Sequence, residues 1–186
     1  MSGDEIKNSR LNRASLIYPK PLPEIKLGPV MDGIGFTLSE RLALRRAWNL
    51  IRPFSRRYGQ DVFYTFLNKE FWGIKKFGNG TELDLKTLHQ HALKFVRFIG
   101  VLIDEQDPIM YQLMISDNNV THSRCKVGSL YIGKLAKALV DYLLHALEKV
   151  SSPTLERGFN KLVEKFEAYQ DNQRKASTYG RLSTFH

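Results

Sequence analysis

Apolar residues recur at intervals of three and four along residues 37–171, which is the spacing that places side chains on one face of an α-helix. The stretch opens with a capping box, in which the Thr37 hydroxyl caps the first turn and the Glu40 carboxylate reaches back to the cap. The clusters of Val, Ile and Tyr all fall inside helical periods, so no strand pattern competes with this interpretation. The sequence therefore predicts an all-α fold.

The breaks in the apolar pattern divide this stretch into separate helices. Pro53 is expected to end the first helix, because the residue before a proline is biased away from helical backbone angles. Further helices are predicted around 58–67, over 84–103, from residue 107 with a weak polar stretch at 116–119, over 129–150 and from residue 151 onwards. The segment 129–150 is predicted to be the longest helix, and 71–83 to contain a loop.

The two ends of the chain differ from the middle. Residues 1–36 hold four of the seven prolines, and proline favours extended backbone, so this stretch is predicted to be a flexible N-terminal extension. Residues 172–186 are predicted to form a short basic C-terminal tail. Neither end has a periodic apolar face to offset the entropy of ordering, so we expect the domain 37–171 to fold without them.

A single cysteine, Cys125, excludes an internal disulfide framework and the zinc or iron–sulfur sites that need several thiolates. No apolar run approaches about 18 residues, so no membrane span is expected. The opening residues MSGDEIKNSR lack the apolar stretch of a secretory signal. A cytoplasmic location, in a reducing compartment, fits these features best.

The chain carries 28 Lys and Arg against 19 Asp and Glu, for a net charge of +9. A basic protein often has an anionic partner. Here the basic residues are spread along the predicted helices and do not form one block. We interpret them as a solvated surface, and expect no nucleic-acid partner.

Among the five histidines, His91 and His122 are the candidates for chemistry. On a helical wheel His91 lies within the apolar stripe of its helix, beside Phe95 and Phe98. His122 follows a polar stretch. Each could be an ordinary hydrogen-bonded histidine, but together they could flank a planar cofactor. No third histidine nearby completes a zinc site, whereas haem needs only one or two axial ligands from the protein.

Six residues also fall in a distinctive order. They are Trp48, Gly59, Phe63, Phe77, His91 and His122. The five intervals between successive members are 11, 4, 14, 14 and 31 residues. In this order and at these intervals, across about 135 residues, segment 37–171 resembles a globin of the intracellular animal type. The resemblance implies a globin fold, with helices packed around a pocket for haem b.

The resemblance also implies roles for the two histidines. His122 matches the proximal histidine, the iron ligand, and the acceptor for its other ring nitrogen would be a backbone carbonyl one turn back, with Asn118 and Thr121 in reach. His91 matches the distal histidine. It would either donate a hydrogen bond to a diatomic ligand or bind the iron as a second axial ligand.

Four further positions would contact the cofactor, and a fifth, Gly59, would lie where two helices cross. Phe77 matches the phenylalanine that packs on the haem face, and Gly59 the glycine that lets two helices cross closely. Phe63 and Phe95 would narrow the distal pocket. Lys94 matches a position at which globins often place a cation near the haem propionates.

Three positions depart from the family pattern. Phe71 stands where globins commonly have proline, and Asn118 where the residue four before the proximal histidine is usually apolar. Phe95 replaces a small aliphatic residue. These differences bear on ligand affinity and on the rigidity of the proximal helix, and they leave both axial histidines in place.

The expected function is reversible binding of oxygen or another diatomic ligand, for storage, delivery or sensing, without catalysis. The alternative is a haem enzyme that removes nitric oxide or peroxide. It would need an external reductase, since the chain has no dinucleotide-binding G-x-G-x-x-G. A haem-free interaction module is a third possibility, which the presence of Phe77, His91 and His122 disfavours.

Overall fold

The computed structural model describes residues 29–69, 75–79 and 82–182, and over these ranges the chain is mainly helical. The all-α prediction is confirmed, with one short antiparallel hairpin in addition. The elements are α1 (Leu38–Ile51), α2 (Ser55–Lys69), β1 (Gly78–Asn79), β2 (Glu82–Leu83), α3 (Leu85–Asp104), α4 (Pro108–Arg124), α5 (Ser129–Ala146) and α6 (Pro153–Leu182), with single 3₁₀ turns at Arg52–Phe54, Lys75–Phe77 and Glu148–Val150.

The start of α1 is the predicted capping box. The Glu40 backbone N–H donates to the Thr37 hydroxyl over 3.2 Å, and the Thr37 N–H donates to the Glu40 carboxylate over 2.9 Å. At the other end, Pro53 lies in the 3₁₀ turn that separates α1 from α2. Because proline cannot donate an interior helix bond, this turn sets the bend between the two helices.

The packed structure begins before the boundary predicted between residues 36 and 37. Ile34 and Phe36 are buried in the main core, with Phe36 only 1% exposed. Asp32 organises this segment, because its carboxylate accepts the backbone N–H groups of Ile34 and Phe36 and forms an ion pair with Arg41 at 2.6 Å. At least part of the predicted extension therefore packs on the helices.

Two helices differ from their predicted form. Helix α4 continues unbroken through the polar stretch 116–119, where the Asn119 side chain is buried and donates to the Ile115 carbonyl over 2.9 Å. Helix α5 ends at Ala146, and α6 continues for 30 residues to Leu182, beyond the predicted boundary at 171. The prediction that 129–150 would be the longest helix was wrong.

The helices pack so that α2 crosses α3 at very close range. A Cβ atom added to Gly59 of α2 would lie 3.0 Å from the Ala92 carbonyl oxygen of α3, so only glycine fits without a shift of backbone. Helix α5 packs on α2 and α6, and α1 packs on α6. Within the ranges described above, no helix is both long and apolar enough to cross a membrane.

Candidate functional site

A cavity of about 450 Å³ opens among α2, α3, α4 and the start of α5. All six residues predicted for the site lie in its wall: Phe63, Phe77, His91, Lys94, Phe95 and His122. Residues separated by up to 59 positions along the chain are thus brought to one place. Their roles toward a cofactor stay predictions.

The two histidines face each other across this cavity. His91 projects from α3 and His122 from the last turn of α4, and their ring centres are 5.7 Å apart with planes inclined at 63°. Both side chains are partly buried. Two imidazoles from opposite walls therefore reach the same small volume.

One nitrogen of His122 is fixed by the backbone. Its Nδ1 lies 2.7 Å from the carbonyl oxygen of Asn118, one helical turn earlier. Because a carbonyl oxygen only accepts, Nδ1 must carry the hydrogen, and in the neutral ring the lone pair is then on Nε2. This contact orients the ring and leaves Nε2 to act as a metal ligand.

His91 is surrounded by aromatic rings. The centre of its ring lies 5.6 Å from that of Phe63 and 5.5 Å from that of Phe77. Burial, followed by electrostatic repulsion from His122 and Lys94, lowers the pKa of His91 below its usual value. The neutral form is therefore favoured, and only a neutral imidazole nitrogen can coordinate a metal.

The two remaining predicted residues are one apolar and one charged side chain, Phe95 and Lys94. Phe95 packs edge-on against Phe63, with ring centres 5.6 Å apart, and narrows the cavity beside His91. Lys94 lines the cavity but is exposed, so its ammonium group lies at the solvent side. A planar ligand with an apolar body and anionic edge groups would match this arrangement.

The wall formed by α4 is the polar side of the cavity. Asn118, Thr121 and Cys125 line it together with His122. The side-chain nitrogen of Asn118 is buried and has no hydrogen-bond partner within the ranges that the structure describes. A buried donor of this kind is costly unless a bound group accepts from it, so it favours a ligand in the cavity.

Several lining residues were not singled out from the sequence. Three lie on helices that also carry predicted residues, and three lie on α5, which carries none: Phe66, Leu67 and Phe98, then Tyr131, Ile132 and Leu135. Phe98 falls in the same wheel stripe as His91, and Phe66 follows Phe63 by three. Helical periodicity identifies such residues as inward-facing, but it does not separate cavity wall from core.

The described ranges contain no group of three or more His, Cys, Asp or Glu side chains placed to hold a metal ion. A protein-only zinc site of the usual kind is therefore not found there. No known family model matches the chain, and no curated protein matches it.

Proposed function

We propose that this chain is a globin that holds haem b in the cavity between α3 and α4 and reversibly binds oxygen or another diatomic ligand inside the cell. One observation carries the proposal. His91 and His122 oppose each other at 5.7 Å in an otherwise largely apolar cavity, and His122 Nδ1 is held by a backbone carbonyl.

The distance between the rings is near that of two ligands of one metal. An imidazole nitrogen binds a transition metal at about 2 Å, so two rings on opposite sides of one ion have centres about 6.3 Å apart. The observed 5.7 Å is shorter by about 0.6 Å, so the two rings would separate slightly to admit one ion. Haem provides the other four nitrogens itself, which suits a site with only two protein donors.

The chain's own residues have separable tasks in this proposal. His122 would hold the cofactor through Nε2, oriented by its bond to the Asn118 carbonyl. Bound haem would supply the iron centre at which a diatomic ligand is taken up. His91, kept neutral, can either donate a hydrogen bond to that ligand or compete with it for the iron. Phe63, Phe77 and Phe95 would exclude water.

The competing interpretation is that both histidines are ordinary side chains of a haem-free helical bundle. It leaves unexplained why two imidazoles, one of them enclosed by aromatic rings, should meet beside an unpartnered buried amide. Burying polar groups without partners costs free energy, and a resident ligand removes that cost.

The absorption spectrum of the purified full chain, expressed with sufficient haem, tests the proposal. We expect a Soret band with one haem per chain in wild type, and loss of most of the bound haem in His122→Ala. His89→Ala is the matched control, because His89 lies on the same helix as His91 but does not line the cavity. A wild type without a Soret band, or a His122→Ala variant with full haem and an unchanged spectrum, contradicts the proposal.

A further inference from the structure

A second cleft lies on the other side of α3. Its volume is about 780 Å³, and it is formed where α1, the turn at Arg52–Phe54 and α2 meet α3. The cavity with the histidines uses residues 91, 94, 95 and 98 of α3, whereas this cleft uses residues 93, 97, 100, 101 and 104. The two sites share no residue.

The cleft carries an excess of positive charge. Its wall contains three arginines, Arg52, Arg56 and Arg97, and a single carboxylate, Asp104. That carboxylate is already shared, at 3.6 Å each, between Arg52 and the neighbouring Arg45. In the part of the chain that the structure describes, Arg56 and Arg97 have no carboxylate within ion-pair distance.

The floor of the cleft is aromatic and closely packed. Trp48 is only 4% exposed and packs directly on Gly100, where an added Cβ would clash with the indole ring. Leu93 and Val101 add apolar surface beside it. The cleft therefore combines a closely packed apolar floor with two guanidinium groups that come from different helices.

We propose that this cleft binds a small anionic molecule carrying a phosphate or pyrophosphate group, with Arg56 and Arg97 as its principal ligands. A planar guanidinium group donates paired hydrogen bonds to phosphate oxygens, and two guanidinium groups from separate helices can bind one anion together. A concave, low-dielectric wall strengthens the local positive potential. The recess favours a small ligand over the flatter acidic surface of another protein.

Isothermal titration of the full chain with inorganic pyrophosphate at about 0.15 M salt, where long-range surface charge is largely screened, tests this inference. We expect saturable one-to-one binding that Arg56→Gln and Arg97→Gln each weaken by about tenfold, as for loss of one charge-assisted contact. Arg46→Gln removes the same charge from an exposed position of α1 outside the cleft, and is expected to bind as wild type does.

Two outcomes overturn the inference. Pyrophosphate that fails to bind wild type at millimolar concentration shows that the cleft is not a phosphate site. Equal weakening by Arg46→Gln and by the two cleft variants shows only diffuse attraction to a basic surface. Because the cleft and the cavity have separate walls, this measurement does not depend on haem binding, and either proposal can fail alone.

Discussion

The imidazole rings of His91 and His122 lie with their centres 5.7 Å apart, although the two residues belong to different helices. Phe63 and Phe77 enclose the His91 side at 5.6 and 5.5 Å between ring centres. This separation is slightly less than the roughly 6.3 Å between two imidazoles bound to one metal ion, so it leaves no room for a diatomic ligand as well. If haem is bound as proposed, the resting state is expected to have both histidines on the iron.

The ferrous spectrum without added ligand tests this expectation. Wild type should show the sharp low-spin bands of a six-coordinate iron, and His91→Leu should show one broad five-coordinate band. An external ligand must first displace His91 from the iron. The apparent affinity of wild type for that ligand therefore equals the intrinsic affinity multiplied by the fraction of chains in which His91 is not bound to the iron. His89→Leu should behave as wild type does. A broad five-coordinate band in both wild type and His91→Leu would rule out bis-histidyl ligation.

Gly59→Ala is expected to destabilise the fold. The new methyl group would meet the Ala92 carbonyl at 3.0 Å and Val96 at 3.1 Å, and the backbone of α3 cannot turn aside as a flexible side chain can. Overpacking of this kind typically costs about 1–3 kcal/mol of unfolding free energy, of which the better helix propensity of alanine returns about 1 kcal/mol; urea denaturation measures the net loss. Gly128→Ser is the control, because a Cβ there meets only Tyr131, at 3.7 Å, and serine suits a helix N-cap. A Gly59→Ala variant more stable than wild type by about 1 kcal/mol, as at an uncrowded helical position, contradicts the close crossing.

Phe36→Ala tests whether the segment before α1 belongs to the domain. Phe36 is 1% exposed, and the Arg41 guanidinium and the Lys165 ammonium lie 4.4 and 5.6 Å from its ring centre. Truncating a buried phenylalanine typically costs about 3–5 kcal/mol. Val30→Ala, at a position that is 85% exposed, should change stability by less than about 0.5 kcal/mol. A similar small loss in both variants would show that the segment does not pack as described.

The same burial changes the expectation for a shortened chain. The sequence predicts that residues 37–171 fold alone, but that fragment lacks both Ile34 and Phe36. It also lacks the Asp32 carboxylate that pairs with the buried Arg41. Leaving a buried charge unpaired is strongly unfavourable, so we expect 37–182 to be clearly less stable than 29–182 in thermal melts. Equal melting temperatures of the two fragments would support the domain boundary predicted between residues 36 and 37.

Helical periodicity predicts part of the site, because it places His91 in the apolar stripe of α3. It does not identify His122, although that residue lies within α4; the spacing of 31 residues from His91 and the resemblance to globins indicate it. Periodicity also does not detect Ile34 and Phe36, which pack from a short turn that has no repeat. The polar run 116–119 also misleads, because the buried Asn119 side chain donates to the Ile115 carbonyl, one turn back in the same helix, and α4 continues. Helix propensity alone does not include such a local side-chain bond.

Glu40 makes the stability of the fold depend on pH. Its carboxylate is 4% exposed, lies 2.8 Å from the Lys161 ammonium and accepts the Thr37 N–H. Burial by itself would raise the pKa of Glu40, but the hydrogen bonds from Lys161 and Thr37 outweigh it, so the pKa lies below its ordinary value of 4.5. The unfolded chain then binds this proton more readily than the folded one, and acid favours unfolding.

The sign of the effect follows from that difference. Stabilisation by Glu40 is fully present above the unfolded pKa of 4.5, and is lost as pH falls through the lower folded value. We therefore expect wild type to lose unfolding free energy below about pH 5, and Glu40→Gln, less stable at neutral pH, to approach wild type in acid. Urea denaturation at a series of pH values measures this convergence. Asp141→Asn is the control, since its pair with Lys137 is exposed on both sides and should contribute little at any pH. Parallel pH profiles for wild type and Glu40→Gln would show that the buried pair between α1 and α6 does not protect the carboxylate from protonation.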